Sequence, residues 1–141
     1  TMIGDAVNIA ARLETACSKY GIDNLISGSI SEDVKDIFTI RLIDKIHVYG
    51  KTEPVSCYEA INYTSTSSDK EIQLAKFFDN AFNEYETGKF VEARALFSKT
   101  AAIEPDRGYS SNPSAEYIKR CDYLISNPPE KWDGTWKFES K

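Results

Sequence analysis

The chain has 141 residues, of which 41% are hydrophobic and 28% charged, and its formal net charge is −5. This composition is that of a globular protein rather than a disordered tail, and the length suits one compact domain or two small ones. Acidic and basic residues are mixed throughout, and no basic cluster is dense enough to neutralise a row of phosphates. Apolar runs of only a few residues cannot span a bilayer. We therefore expect neither nucleic-acid binding nor membrane contact from these residues.

Three widely spaced cysteines, Cys17, Cys57 and Cys121, are too few and too far apart for a disulfide framework or a C-x-x-C metal site. We expect reduced thiols, packed as small apolar groups in a cytoplasmic protein. The sequence begins without an initiator methionine, at the end of an apolar strand that runs into a helix. We therefore expect it to be a piece of a longer parent protein, which leaves open a membrane anchor upstream.

Residues 1–63 predict an α+β unit. Asp5 is suited to cap a helix that runs to about Tyr20, and Gly21 is suited to end it. The residues of this helix that recur at helical spacing and should face a sheet are Ile9, Leu13, Ala16 and Tyr20. The remaining predicted elements are a strand at 24–27, a brief helix to about residue 37, a kinked strand at 38–48, a turn at 49–52 and a returning strand at 55–63.

Residues 64–68, with the sequence TSTSS, predict a linker, and beyond them the hydrophobic period becomes 3.6. We expect residues 69–141 to form an all-helical tail. Its helices are marked by three apolar stripes: Leu74, Phe78, Ala81 and Tyr85; Phe90, Ala93, Phe97 and Thr100; Ile118, Cys121 and Ile125. The spacing of Gly88, Ala93, Phe97 and Pro105 resembles the latter part of a tetratricopeptide repeat.

Asn8 and Arg12 are the first candidate site residues. At positions i and i+4 they share one helix face, so a short amide and a planar guanidinium can converge on one small anionic target. Most such pairs are only solvated surface, so the pair becomes informative through its sequence context.

Residues 1–14, TMIGDAVNIAARLE, resemble the G-D-x-V-N-x-A-A-R-L-E segment of class III nucleotide cyclases. Residues 50–55, GKTEPV, with Tyr58 and Glu59 after them, resemble the G-K-x-E-P-V…Y-E ending of the same catalytic domain. The interval between the two segments also fits. The resemblance covers residues 1–61 and implies the C-terminal remnant of a ferredoxin-like cyclase domain.

The resemblance implies roles by position. Asn8 matches the asparagine that positions the ribose, and Arg12 the arginine that stabilises the pentavalent phosphorus transition state. Thr1 matches the purine-reading position and favours ATP over GTP. Tyr49 stands where many members have a phosphate-binding lysine, and Lys51 could contact the terminal phosphates in part or be only a turn residue.

Family members hold two Mg²⁺ or Mn²⁺ ions with two aspartates from the start of the catalytic domain, a region that precedes this sequence. No residue here is expected to bind metal: Asp5 is better suited to cap its helix, and His47 to a structural or surface place. The active sites of the family form between two subunits. We therefore expect an adenylate cyclase parent that makes cyclic AMP in intracellular signalling, and a fragment that is inactive alone.

Two other functions stay open at this point: a guanylate cyclase, or a non-catalytic cyclase-like domain whose tail binds a protein partner. The uncovered sheet edges expected of a partial domain predict a homodimer or a domain-swapped oligomer. The tail contains Arg-Cys, Pro-Pro and Trp-Asp-Gly and resembles tails that follow the cyclase domain in some bacterial membrane-anchored cyclases. It is expected to be either a docking element or a passive helical cap on the sheet.

Overall fold

The computed structural model describes residues 15–47 and 52–136. They form an α+β structure in which the first of three C-terminal helices packs against a small antiparallel sheet, the second packs against the first, and the third packs against the second. The elements in chain order are the described part of helix α1 (residues 15–20), β1 (Ile26–Ser27), α2 (Gly28–Val34), β2 (Phe38–Ile46), β3 (Val55–Tyr63), a 3₁₀ turn (Thr64–Thr66), α3 (Asp69–Glu86), α4 (Phe90–Ala101) and α5 (Pro113–Ser126).

The sheet has the strand order β1-β3-β2, and both pairings are antiparallel. The hairpin of β2 and β3 runs from the pair Ile46 and Val55 to the pair Phe38 and Tyr63. The predicted returning strand is confirmed at both ends, and β2 ends at Ile46. The side chain of Asn24 donates to the carbonyl of Ala60 and accepts from its amide, which ties the start of β1 to β3.

The kink predicted in β2 is a β-bulge at Ile43. Leu42 pairs with Tyr58 and Asp44 with Cys57, so Ile43 has no partner in the ladder. A bulge shifts the alternation of side chains by one residue. Ile43 and Asp44 consequently both point into the core, and Arg41 and Ile46 share the same buried face. The bulge therefore places a carboxylate among apolar side chains.

Two helices of the tail supply the hydrogen bonds that the bulge leaves unmade. The amide of Leu42 donates to Asp79 Oδ1 on α3 at 3.1 Å, and the hydroxyl of Tyr117 on α5 donates to the carbonyl of Ile43 at 2.5 Å. Unpaired backbone groups in a core are costly unless a partner is found. Helices α3 and α5 thus each provide one hydrogen-bonding side chain for a backbone group at the bulge.

Helices α3 and α4 form a hairpin in which Ser68 and Glu71 make a capping box and Gly88, with φ +87°, turns the chain. The apolar stripes predicted for these helices are confirmed in the core, with Phe90 packed at its edge. The stripe predicted for α5 is wrong in part. Ile125 is 39% exposed, and Tyr117, Arg120 and Leu124 are buried instead, because the rotation of α5 brings the Tyr117 hydroxyl to the bulge.

One core joins residues on both sides of 64–68. Ala16, Ile43 and Cys57 belong to the same buried cluster as Phe78 and Phe97. Tyr117 lies at the centre of its aromatic part, stacked on Phe97 at 4.8 Å between ring centroids. The tail thus covers the sheet, while the division into two units at 64–68 and the tetratricopeptide likeness stay predictions.

Gly21, where α1 ends, gives a test of this packing. It has φ +71°, and an added Cβ would overlap the carbonyl oxygen of Ser111, just before α5. Gly108 has φ +81° but nothing within 4 Å of an added Cβ. We predict that Gly108→Ala lowers the free energy of unfolding by about 1–2 kcal/mol through backbone strain alone, and that Gly21→Ala lowers it clearly more. Urea unfolding measures both. Equal losses would show that α1 and the α5 loop do not meet at Gly21.

Candidate functional site

The predicted site residues lie outside the described residues: Thr1, Asn8, Arg12 and Lys51. Asp5 and Tyr49 lie there too. The structure describes what holds the C-terminal end of the helix on which Asn8 and Arg12 were predicted, and what holds the two strands that flank residues 48–51. These surroundings define the candidate site. His47, just after β2, is exposed and lies 3.2 Å from the Thr135 hydroxyl.

The end of α1 is held by three buried side chains, Tyr20, Asp44 and Arg120, which we call the Asp44 cluster. The Tyr20 hydroxyl donates to Asp44 Oδ2 and accepts from Arg120 Nη2. Arg120 Nη1 donates to the same Asp44 oxygen at 3.0 Å. No member is more than 5% exposed. The cluster joins α1, the bulged strand β2 and the tail in one hydrogen-bonded unit.

The environment fixes the protonation states of this cluster. Burial, and next the charge of Asp44, raise the pKa of Tyr20 well above its usual value, so the phenol keeps its proton and donates it. Burial, the largest single influence, lowers the pKa of Arg120, but the raising influences, of which the charge of Asp44 is the largest, together outweigh it and the net shift is upward. The Arg120 guanidinium also lies over the Tyr117 ring, 4.6 Å from its centroid. Arg120 is therefore a permanent cation that neutralises Asp44.

A second buried network is centred on Arg41, three residues before Asp44 in β2. Arg41 donates to Glu59 Oε1, directly opposite on β3, at 2.8 Å, and makes a two-pronged contact with Glu104 at 2.9 Å for each pair of atoms. Glu59 is also bonded by Arg107. Glu104 accepts from the amide and the hydroxyl of Ser114 at the start of α5. This Arg41 network has two positive and two negative side chains, so it is neutral in sum.

Burial lowers the pKa of Arg41, whereas Glu59 and Glu104 raise it by more, and the net shift is upward. The Arg41 network includes none of residues 15–20, the part of α1 that the structure describes. It therefore offers a comparison for the Asp44 cluster: both fix the tail to the sheet through a buried arginine, and the Asp44 cluster also bonds this part of α1.

An open groove of about 620 Å³ lies beside α1, α5 and the C-terminal segment. Lys19 contributes from α1, Arg120 and Tyr123 from α5, and Trp132 and Trp136 from the segment after α5. Trp132 Nε1 donates to the carbonyls of Tyr85 and Glu86 at 3.0 Å, which fixes the segment on the end of α3. The Trp136 ring lies 5.3 Å from the Arg120 guanidinium. The C-terminal segment thus closes over the Asp44 cluster.

All three cysteines lie within the described residues. Cys17, Cys57 and Cys121 are all free, and burial raises the pKa of the Cys57 and Cys121 thiols to about 12. Within residues 15–47 and 52–136, no three His, Cys, Asp or Glu side chains are arranged to bind a metal ion. In the same part of the chain, no helix has the length and apolar character needed to cross a membrane.

Comparison with known proteins finds adenylate cyclases. The chain is 33% identical to the terminal-differentiation-specific adenylate cyclase of Dictyostelium discoideum over 127 residues, which cover 86% of this chain and 6% of that protein. It is 45% identical over 62 residues to an adenylate cyclase of Anabaena cylindrica, covering 42% of this chain and 12% of that protein. It is 29% identical over 75 residues to adenylate cyclase 1 of Rhizobium meliloti, covering 53% and 11%.

These likenesses show that the chain is related to adenylate cyclases. The chain spans only 6–12% of the length of these relatives. No family model and no solved structure matches it. Because the Dictyostelium alignment leaves at most a seventh of the chain uncovered, it includes residues on both sides of 64–68 and most of the tail.

Sequence reasoning placed Tyr20 on the buried face of its helix but missed the role of its hydroxyl, and it missed Asp44 and Arg120. The available pattern was an arginine within the apolar face of α5, between Tyr117 and Leu124, and an aspartate between Ile43 and Ile46. A charge at such a position predicts a buried partner of opposite charge. The partner itself is 76 residues away and could not be chosen from spacing.

Two arginines of the chain test how much the buried networks stabilise the fold. We predict that Arg41→Met lowers the free energy of unfolding by about 3–5 kcal/mol, because Glu59 and Glu104 lose a buried partner. The matched change Arg94→Met removes an exposed pair with Asp122, 2.5 Å apart, and should leave the free energy of unfolding almost unchanged, because water screens an exposed ion pair. Urea unfolding of each variant measures this. Similar losses at the two sites would contradict the buried network.

Proposed function

We propose that the chain is the C-terminal part of the catalytic domain of an adenylate cyclase, followed by a helical tail. The observation that supports this most directly is the 45% identity over 62 residues to the Anabaena adenylate cyclase, together with the longer Dictyostelium alignment. The parent converts ATP into 3′,5′-cyclic AMP and pyrophosphate. All three relatives carry the name adenylate cyclase, which favours ATP over GTP as the substrate, in agreement with Thr1.

In the proposed reaction the ribose 3′-oxygen forms a bond to the α-phosphorus as the bond to pyrophosphate breaks, and the 3′-hydroxyl proton leaves. Negative charge builds on the α-phosphate oxygens. Arg12 stabilises that charge more in the transition state than in the ground state, and Asn8 orients the ribose. Thr1 contacts the adenine, and Lys51 contacts the terminal phosphates.

Two divalent cations, Mg²⁺ or Mn²⁺, complete the proposed site as Lewis acids on the phosphates when bound. Their aspartate ligands belong to the parent upstream of this sequence. The chain then supplies one half of a site shared by two subunits and is inactive alone.

An exposed apolar groove at the sheet favours the proposal that the parent assembles with another chain. Ile30 and Tyr63, 50% and 55% exposed, line an open groove of about 460 Å³ with Ile26, Phe38 and Ile61. Apolar surface of this kind tends to be covered by another chain or domain. A homodimer or an oligomer with exchanged elements is the form we propose.

The test uses the full-length parent with Mn²⁺ and either ATP or GTP. We predict that Asn8→Ala and Arg12→Ala each lower kcat for cyclic AMP formation, the arginine change by about 10²–10³-fold, because a donor aimed at the developing charge is lost. Thermal unfolding should be unchanged. The control Arg94→Ala, in the exposed pair with Asp122, should leave kcat unaltered.

A parent that makes no cyclic AMP would reject the proposed function. Cyclic GMP as the preferred product would replace it with a guanylate cyclase. Normal turnover in Arg12→Ala would reject the assigned role of that arginine.

A further inference from the structure

We infer that Arg120 is a positioning residue through which the helical tail sets the orientation of the catalytic helix α1. The inference rests on the proposed function, since it concerns the helix on which Asn8 and Arg12 were predicted. It assigns to a residue outside the cyclase-like part a role in the reaction that no resemblance implied.

The hydroxyl of Tyr20 is the polar end of α1 in the core, and both of its hydrogen-bond partners are charged. It donates to Asp44 and accepts from Arg120. Tyr20 and Asp44 are fully buried and Arg120 is 5% exposed, so water does not replace these partners. The rotation of α1 about its axis is therefore tied to the position of one guanidinium.

That guanidinium belongs to the tail and is itself fixed from three sides. Asp44 binds it from β2, the Tyr117 ring lies 4.6 Å from it, and the Trp136 ring 5.3 Å from it. A side chain with so many fixed neighbours has few rotamers open to it. Because the Arg120 guanidinium is held in place by the tail and β2, it holds the Tyr20 hydroxyl of α1 in place as well. A mobile surface contact would not have this effect.

Two more contacts hold the residues that follow α1. Gly21 lies so close to the Ser111 carbonyl that no side chain fits between them, and the Tyr109 hydroxyl donates to Asp23 at 2.7 Å. Both partners belong to the segment that leads into α5. The tail therefore meets the end of α1 at successive residues rather than at one point.

The effect on catalysis follows from helix geometry. On the helix predicted from about residue 6 to residue 20, Arg12 precedes Tyr20 by eight residues, or about 12 Å. A tilt of about 10° around the Tyr20 end would displace the Arg12 position by about 2 Å. A misplacement of about 1 Å at a reacting centre can cost 10²-fold in rate. A small displacement of Tyr20 by Arg120 would therefore move Arg12 far enough from the phosphate to lower the rate.

The Dictyostelium relative is in accord with this arrangement. Its likeness to the chain covers 86% of the chain, so the cyclase-like part and the tail occur together there. A tail that only covers the sheet would also occur together with the cyclase-like part. Turnover and amide exchange of variants distinguish such a tail from one that positions α1.

The first arm of the test measures turnover of the full-length parent. Arg120→Met and Tyr20→Phe should each lower kcat, the arginine change by about tenfold or more, with a much smaller change in KM for ATP, since the displaced groups act in the transition state. The loss of kcat in the double variant should be smaller than the product of the two single losses, because both changes break the same hydrogen bond between Arg120 and Tyr20. Arg41→Met, which breaks an equally buried network without touching α1, should keep kcat per folded molecule.

The second arm measures amide hydrogen exchange of residues 15–20 in the chain itself, relative to α4, and does not depend on turnover. Exchange in α1 should be about tenfold faster in Arg120→Met and raised in Tyr20→Phe, and unchanged relative to α4 in Arg41→Met. Tyr20→Phe keeps the ring and serves if Arg120→Met does not fold.

Three results would overturn the inference. They are an unchanged kcat in both Arg120→Met and Tyr20→Phe, a loss of kcat in Arg41→Met as large as that in Arg120→Met, and an unchanged rate of amide exchange at residues 15–20 in Arg120→Met and Tyr20→Phe. A parent without cyclase activity would reject the proposed function separately, and the exchange arm would still decide whether Arg120 holds α1.

Discussion

The rest of the structure depends on the neutralisation of Asp44 in the core. The bulge at Ile43 turns this carboxylate inward, where an unpaired charge would cost several kcal/mol. The partners that neutralise and bond it come from two distant parts of the chain, Tyr20 on α1 and Arg120 on α5. Because the guanidinium bonded to Asp44 belongs to α5, the fold around the end of α1 depends on the tail.

The need to neutralise Asp44 gives the tail a more specific role than covering apolar surface. Helices that only covered an apolar sheet could be exchanged for any other apolar surface. The tail instead provides single hydrogen bonds to the bulge from α3 and α5, a cation for Asp44 from α5, and a carboxylate for Arg41 from Glu104 in the loop between α4 and α5. Buried polar contacts of this kind specify one arrangement more sharply than apolar contact does. The proposed cyclase half-site is thereby tied to a segment that makes no contact with the nucleotide in our proposal.

The sequence predicted much of the local structure because period and capping are local properties. The hairpin, the three tail helices and the end of α1 at Gly21 follow from alternation, apolar stripes and glycine. The face of α5 could not be predicted, since it is set by the Tyr117 hydroxyl reaching the unpaired carbonyl of Ile43. The Asp44 cluster was missed for the same reason: it pairs residues up to 100 positions apart. The roles of Asn8, Arg12, Thr1 and Lys51 come from resemblance and stay predictions.

The central claim, that the tail and the cyclase-like sheet are one cooperative structure, can be measured with separate probes in one urea titration. Trp132 and Trp136 are the two tryptophans of the chain, so fluorescence reports on the tail, while the NMR amide signals of β2 and β3 report on the sheet. A shared core with buried ion pairs predicts coincident midpoints and a single transition. Loss of the sheet signals at a lower urea concentration than the change in fluorescence would contradict the account.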